Sequence, residues 1–118
     1  MKTILIADHS LLSRSMLKKM LHKSDYRVIA EVEDGKQAIK KYTHCHPDFV
    51  LMDYCLPILN GIDALAQIMK HDPFAKVIMF SSMNVNQFIE DSIVLGAKDF
   101  LIKPSFEGLI PSLKKNSQ

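Results

Sequence analysis

The sequence has only two cysteines and no apolar run long enough to cross a membrane. Cys45 and Cys55 show neither CxxC nor metal-ligand spacing, so we expect reduced thiols and no disulfide bond. The apolar runs have the length of strands, well short of the roughly 18 residues that a membrane span needs. Residues 1–4 lead into polar residues 8–10 rather than into the apolar core of a signal peptide. These absences predict a cytoplasmic location and no membrane contact.

Positive charge is present but not concentrated in any one segment. The formal net charge is +2, from 15 Lys and Arg against 13 Asp and Glu. The pairs Lys18-Lys19 and Lys40-Lys41 are typical of solvated helix faces, and Lys114-Lys115 lies near the C-terminus. Without a concentrated basic patch, we expect no direct contact with nucleic acid. The length of 118 residues predicts a single domain over residues 1–118.

Short apolar runs alternate with amphipathic segments along the whole chain. Strands are predicted at 4–7, 26–32, 49–52, 76–80 and 100–102, and helices at 10–22, 36–44, 62–70, 85–95 and within 105–115. The alternation predicts an α/β fold, in which a parallel sheet is covered by helices on both faces. The polar residues within 26–32 place that strand at the edge of the sheet.

Local signals refine the first and last helices. Ser10 is a suitable N-cap for the first helix. Its apolar residues predict a stripe that faces the core, formed by Leu12, Met16, Leu17, Met20 and Leu21. Gly96 is expected to end the fourth helix in a left-handed conformation. Gly108 and Pro111 both weaken a helix interior, so the last helix should be short, kinked or late to start.

Polar residues follow four of the predicted strands at the point where each strand ends. In parallel sheets these ends meet at one edge, where ligands bind. Carboxylates are hard ligands for a divalent cation, whereas hydroxyl and ammonium groups donate hydrogen bonds to phosphoryl oxygens. The residues are Asp8 and His9, Asp53, Ser81 and Ser82, and Lys103. They predict a phosphoryl-transfer site, with Asp53 as the nucleophile that forms an acyl phosphate.

The ordered set of motifs resembles the receiver domain of bacterial two-component response regulators, especially the stand-alone chemotaxis type. The matching segments are 4–10, 53–61 with Pro57 and Gly61, 80–82, and 96–104. The resemblance implies a flavodoxin-like, doubly wound sheet of five parallel strands in the order 2-1-3-4-5. It also implies phosphorelay signalling by a protein that is not an enzyme in the ordinary sense, since its chemistry is limited to its own phosphorylation and dephosphorylation.

The resemblance implies a role for each polar residue at the strand ends. Asp53 is the phosphoacceptor and receives its phosphoryl group from a sensor histidine kinase. Lys103 pairs first with Asp53 and then with the phosphoryl group, and the Lys103-Pro104 bond is expected to be cis. Ser81 moves inward to bind a phosphoryl oxygen, and Phe100 is the aromatic switch that follows it. A downstream protein then binds the face formed by the fourth helix, the fifth strand and the last helix.

The expected cofactor is Mg²⁺, held by Asp8, Asp53 and the backbone carbonyl of Cys55. The sequence departs from the family at His9, where a second metal-binding carboxylate is usual. Mg²⁺ prefers oxygen ligands, and neutral imidazole suits Zn²⁺, Ni²⁺ or Cu²⁺ better, so we expect weak magnesium binding. Two interpretations stay open: a working receiver with weakened magnesium affinity, which the other filled positions favour, and a pseudo-receiver that signals without phosphorylation. His9 pointing to solvent without effect is a third.

Other positions limit the remaining alternatives. Cys55 and Met83 flank the path of the attacking water in this family, and neither orients water well, so the acyl phosphate should hydrolyse over hours rather than seconds. An aspartate-nucleophile phosphatase is disfavoured because Cys55 stands where its general acid would lie. A flavodoxin-like nucleotide binder is disfavoured because Leu11-Leu12 replaces a phosphate-binding loop. A regulator with a further domain beyond Gln118 stays open.

Overall fold

The computed structural model describes all 118 residues as five strands that alternate with five helices. The strands are β1 (Lys2–Ala7), β2 (Tyr26–Val32), β3 (Phe49–Asp53), β4 (Val77–Ser81) and β5 (Asp99–Ile102). The helices are α1 (Leu11–Leu21), α2 (Gly35–Cys45), α3 (Gly61–His71), α4 (Asn86–Val94) and α5 (Leu109–Lys115). None of these helices combines the length and apolar character that a bilayer span requires.

The five strands form one parallel sheet in the order β2-β1-β3-β4-β5. Every residue of β3 and β4 is buried, because helices cover both faces of the central strands. β2 lies at the edge and alternates between buried and exposed positions. The doubly wound, flavodoxin-like fold and the strand order predicted from the sequence are confirmed.

The sheet separates two hydrophobic cores. Successive residues of β1 enter opposite cores, since side chains alternate along a strand: Ile4 and Ile6 pack on one side, and Leu5 and Ala7 on the other. One core is closed by α2 and α3, with Ala38, Tyr42, Ala64, Leu65 and Ile68. The other is closed by α1 and the C-terminal segment, with Leu17, Leu21, Phe106, Leu109 and Leu113.

The buried face of α1 differs from the predicted stripe. Leu17 and Leu21 are buried as expected, but the third buried residue is Arg14. Leu12 is 71% exposed and Met20 is 38% exposed, so their assignment to the core was wrong. Compared with the predicted stripe, the helix is rotated about its axis. The Arg14 guanidinium is bonded to β2 and to the end of β1, so Leu17 and Leu21, which follow Arg14 at helical spacing, face the sheet. The expected N-cap is confirmed, with Ser10 Oγ accepting from the Ser13 amide at 3.2 Å.

The last helix starts late, as its glycine and proline predicted. Gly108 has φ of 87° and immediately precedes α5, which is only seven residues long. Pro111 lies in the first turn, where its missing N–H leaves no helical hydrogen bond unmade. Before the helix, Phe106 is fully buried and meets Phe80 edge to face at 5.2 Å. Gly96 also has the positive φ expected of it, at 110°.

The start of α3 lies directly against the end of β3. The N–H of Gly61 donates to the Tyr54 carbonyl at 2.9 Å. A Cβ atom at Gly61 would come within 1.9 Å of the Asp53 carbonyl oxygen. Only a residue without a side chain fits here, so Gly61 fixes the loop that follows Asp53.

We predict that Gly61→Ala lowers the free energy of unfolding by about 3 kcal/mol, because the new methyl group collides with backbone atoms that cannot move away alone. Gly108→Ala provides the comparison. Its Cβ would meet only Leu101 Cδ2, at 3.8 Å. Its cost should be about 1 kcal/mol, from the positive φ alone. Urea unfolding of both variants measures the difference, and equal losses would contradict the close approach at Gly61.

Candidate functional site

Three of the predicted residues meet at the carboxyl edge of the sheet. Lys103 Nζ lies 3.0 Å from Asp8 Oδ2 and 2.9 Å from Asp53 Oδ2. In the sequence, Asp8 lies 95 positions from Lys103 and Asp53 lies 50 positions from it. The ends of β1, β3 and β5 bring the three residues together. One ammonium group therefore bridges two carboxylates in the crevice that the sequence predicted.

In each carboxylate, one oxygen accepts a hydrogen bond within its own turn and the other contacts Lys103. Asp8 Oδ1 accepts from the Ser10 N–H at 2.9 Å, and Asp53 Oδ1 accepts from the Cys55 N–H at 3.0 Å. In both cases an aspartate at a strand end bonds the amide two residues later, which is common in turns. The turns thus orient the carboxylates, and a turn-forming role for Asp53 is compatible with a functional one.

Lys103 is held by its backbone and by its surroundings. Its N–H donates to the Ser81 carbonyl at 2.8 Å, which ties the end of β5 to that of β4. The Lys103-Pro104 peptide bond is cis, as expected. Burial alone lowers the pKa of Lys103, but the Asp53 and Asp8 carboxylates outweigh it and hold that pKa above its usual value. Lys103 is therefore a permanent cation at neutral pH.

Asp53 is in an unfavourable environment for a charge. Burial raises the pKa of Asp53, and the negative charge of Asp8 adds to the rise. The hydrogen bonds from Lys103 and from the Cys55 N–H offset only part of this effect. With two carboxylates and one ammonium, the cluster carries excess negative charge when both acids are ionised, which suits a second cation.

Ser81 ends β4 at the same edge and is almost fully buried. Its Oγ accepts a hydrogen bond from the Met83 N–H at 3.0 Å. Because the oxygen acts there as an acceptor, the hydroxyl proton is free to be donated to another group. Ser82, by contrast, is exposed.

An aromatic cluster joins the loop after Asp53 to α4. The Tyr54 ring stacks on Phe88 with centroids 4.1 Å apart and an angle of 14° between the planes. Phe100 lies on β5 with its ring centroid 6.4 Å from that of Tyr54. Both Tyr54 and Phe100 are half-buried against the core on this side of the sheet. The residue next to Asp53 is thus in direct contact with the helix over β5.

The remaining predicted residues lie at the rim of the site. His9 is exposed, as are Cys55 and Met83. Although Cys55 is exposed, partial desolvation of its thiol raises the thiol pKa, and the Asp53 charge adds to this effect, so the thiol is protonated at neutral pH. None of these three side chains forms a hydrogen bond with the bridged carboxylates.

The donor set fits a magnesium ion but not a metal that needs a cage of protein ligands. No group of three or more His, Cys, Asp or Glu side chains is placed to hold a metal. Two carboxylates do converge, however, and Mg²⁺ is commonly held by one or two carboxylates while it keeps several waters. The excess negative charge of the cluster favours such an ion.

Sequence reasoning missed two features of this region. Arg14 is buried and donates to the Asp8 carbonyl, and Tyr54 stacks on Phe88. Arg14 occupies the same helical face as Leu17 and Leu21, so its spacing from those two residues was a usable signal. The aromatic stack had no such signal, because it joins segments more than 30 residues apart.

Comparisons with known proteins agree with this geometry. The family model of the response regulator receiver domain matches residues 4–113. The chain is 46% identical over 104 residues to the chemotaxis protein CheY of Listeria monocytogenes, covering 88% of this chain and 87% of that protein.

Two solved structures share the fold. The CheX-CheY-BeF3-Mg²⁺ complex from Borrelia burgdorferi gives a TM-score of 0.93 at 28% identity, covering 99% of this chain and 90% of that chain. The response regulator TrrA of Thermotoga maritima, in complex with Mg²⁺-BeF, gives 0.87 at 27% identity, covering 98% and 99%.

We predict that Asp53→Asn raises the free energy of unfolding at neutral pH, by on the order of 1 kcal/mol. The folded-state pKa of Asp53 lies above its ordinary value, so ionised Asp53 costs stability once the pH exceeds that folded-state pKa. The advantage of the variant should therefore shrink as the pH falls. Urea unfolding across the acidic to neutral range measures it.

Asp48→Asn is the matched control. The Thr3 N–H holds the pKa of Asp48 below its usual value. Ionised Asp48 therefore adds stability that is lost as the pH falls, and its amide variant should be the less stable one at neutral pH. An Asp53→Asn protein that is also less stable than the unmodified chain would contradict the charge balance described for the site.

Proposed function

The chain belongs to the family of response regulator receiver domains, and on that premise we propose that it accepts a phosphoryl group on Asp53 from a sensor histidine kinase. The observation that carries the proposal is the bridge from Lys103 Nζ to Asp53 and Asp8. Family membership makes the chain a signalling protein rather than a classical enzyme. The cytoplasmic location expected from the sequence stays a prediction.

The proposed reaction is a transfer from nitrogen to oxygen. A carboxylate oxygen of Asp53 attacks the phosphorus of a phosphohistidine, the N–P bond breaks, and the imidazole nitrogen takes up a proton. Lys103 holds Asp53 Oδ2 before the reaction and pairs with the phosphoryl oxygens afterwards. The raised pKa of Asp53 makes its carboxylate a better nucleophile, provided that it is ionised.

Asp8, Asp53 and the backbone carbonyl of Cys55 would hold Mg²⁺ in this reaction. A bound Mg²⁺ neutralises charge that develops on the phosphoryl oxygens. The similar structures from Borrelia burgdorferi and Thermotoga maritima are complexes with Mg²⁺ and beryllium fluoride. Because His9 is exposed and adds no carboxylate, we expect the affinity for Mg²⁺ to be low.

Ser81 and Phe100 would transmit the change to a protein-binding face. The free hydroxyl proton of Ser81 can be donated to a phosphoryl oxygen. Such a bond would pull the end of β4, to which Lys103 is joined through its backbone. Phe100, on the adjacent strand, would follow into the space that Ser81 leaves. The phosphorylated form would thus be one of two packings whose equilibrium is shifted.

The output surface is proposed to be α4, β5 and α5, where a downstream protein binds. Two observations support this choice. The Tyr54–Phe88 stack connects α4 to the residue that follows Asp53. Helix α4 also exposes a run of apolar residues near its C-terminus, namely Ile93, Val94 and Leu95, and exposed apolar patches often mark interaction sites.

A slow loss of the phosphoryl group is supported by the rim of the site. Cys55 presents a neutral thiol, and Met83 presents a thioether. Neither group is a strong hydrogen-bond acceptor, so neither orients an attacking water well. The acyl phosphate should therefore last for hours rather than seconds.

The alternative is a pseudo-receiver that signals without phosphorylation. The histidine at position 9 favours it, since the site then has only two carboxylates. The bridged Asp8, Asp53 and Lys103, together with buried Ser81, favour phosphorylation, because a site that no longer reacts has no need to keep all four.

We predict that acetyl phosphate or beryllofluoride modifies Asp53 in the presence of Mg²⁺. Mass spectrometry should show the phosphoryl adduct, and amide NMR shifts should appear in α4, β5 and α5 as well as at the site. Asp53→Asn should show neither result. Asp48→Asn keeps the same net charge as Asp53→Asn and should react normally. An absence of adduct on the unmodified chain at high Mg²⁺ would establish the pseudo-receiver instead.

We predict that His9→Asp strengthens Mg²⁺ binding about tenfold, since it adds a hard carboxylate ligand beside Asp8. Mg²⁺ titration followed by amide NMR gives the dissociation constant. His22→Asp is the control, because it makes the same change at the C-terminal end of α1, away from the site. If His9→Asp bound no better than the unmodified chain, position 9 would lie outside the metal site.

A further inference from the structure

Arg14 is a buried cation, and each of its three guanidinium nitrogens contacts a different group. Its Nη1 donates to the backbone carbonyl of Asp8. Its Nε donates to Glu31 Oε1 at 3.1 Å, and its Nη2 lies 3.7 Å from Glu33 Oε1. Only about a tenth of its side chain is exposed, so these contacts replace water rather than supplement it.

The contact with Asp8 completes a set of hydrogen bonds that fixes this residue. The Asp8 N–H donates to the Val32 carbonyl at 3.0 Å. Its carboxylate oxygens are bound by the Ser10 N–H and by Lys103. The only hydrogen bond to its carbonyl comes from Arg14. Asp8 lies just beyond the end of β1, so the sheet does not hold that carbonyl.

We propose that Arg14 is a positioning residue for the Asp8 carboxylate and thereby sets the affinity of the site for Mg²⁺. The inference rests on the proposed function, since it assumes that Asp8 and Asp53 share a cation. Arg14 touches neither carboxylate. It acts by fixing the peptide unit from which the Asp8 side chain projects, and a small rotation there would move the carboxylate away from Asp53.

The charges around Arg14 indicate that its effect is geometric rather than electrostatic. Glu31 of β2 and Glu33, the first residue after that strand, both lie against the guanidinium. Removing Arg14 alone would leave these two negative charges unbalanced, which favours a nearby cation rather than weakening its binding. A weaker Mg²⁺ affinity without Arg14 would therefore come from a change of position and not from the change of charge.

The position of Asp8 matters more in this chain than it would with a full acidic pair. His9 is exposed and supplies no carboxylate, so Asp8 and Asp53 are the only charged ligands of the proposed magnesium site. With only two such ligands, a displaced one removes half of the charged ligand set. Groups that orient metal ligands commonly change metal affinity about 10-fold or more when they are removed.

Lys18 provides a matched control on the same helix. Its Nζ lies 2.9 Å from Glu31 Oε2, so Lys18 and Arg14 share that glutamate. Lys18 makes no contact with Asp8. Lys18→Met therefore removes a cation from α1 and an ion pair to β2 while it leaves the Asp8 carbonyl bonded.

The test measures the Mg²⁺ dissociation constant of the unmodified chain, Arg14→Met and Lys18→Met by amide NMR titration. We expect about a tenfold weaker affinity for Arg14→Met and less than about a twofold change for Lys18→Met. In the absence of Mg²⁺, the Ser10 amide, which bonds the Asp8 carboxylate, should shift in Arg14→Met only. With acetyl phosphate at saturating Mg²⁺, Arg14→Met should regain most of its phosphorylation rate.

Equal Mg²⁺ affinities for Arg14→Met and Lys18→Met would overturn the proposal. Arg14 would then only connect α1 to β2. If Arg14→Met does not fold, Arg14→Lys takes its place, since it keeps the charge but replaces the planar guanidinium, whose three nitrogens face three separate partners, with a single ammonium nitrogen. It should weaken Mg²⁺ binding severalfold, and an unchanged affinity would again overturn the proposal. Failure of the unmodified chain to bind Mg²⁺ or to form the Asp53 adduct would instead contradict the proposed function.

Discussion

The site depends on one ammonium group shared between two buried carboxylates. Lys103 cannot neutralise Asp8 and Asp53 together, so the folded chain retains an excess of negative charge at the carboxyl edge of its sheet. This imbalance costs stability, and it also prepares the crevice for a cation and for a phosphoryl group. Burial, together with the negative charge of Asp8, raises the pKa of Asp53, and the same excess of negative charge suits a magnesium ion.

Most of the architecture could be predicted from the sequence because the signals were local. Fully apolar runs such as residues 49–52 have to be covered on both sides, and that requirement dictates a parallel sheet between two helical layers. The late start of the last helix followed from Gly108 and Pro111 alone. The convergence of Asp8, Asp53 and Lys103 could also be predicted, since the ends of parallel strands meet at one edge.

The failures came from contacts between distant segments. Periodicity assigned Leu12 and Met20 of α1 to the core because it weighs apolar residues and ignores charged ones. A buried arginine with partners at the end of β1 and on β2 instead set the rotation of the helix. Nothing within α1 indicates that Glu31 and Glu33 would face it. For the same reason no local sequence pattern predicted the stacking of Tyr54 on Phe88, although both aromatic residues are evident in the sequence.

The chain contains three tyrosines and no tryptophan. Two of the tyrosine hydroxyls are hydrogen-bonded away from the site, Tyr26 with Ser117 and Tyr42 with Asp72. Tyr54 alone lies beside Asp53, with its ring against Phe88. The intrinsic tyrosine fluorescence of this protein therefore includes a contribution from Tyr54, which lies where the acidic crevice meets α4. Events at the crevice become observable optically, without an attached dye.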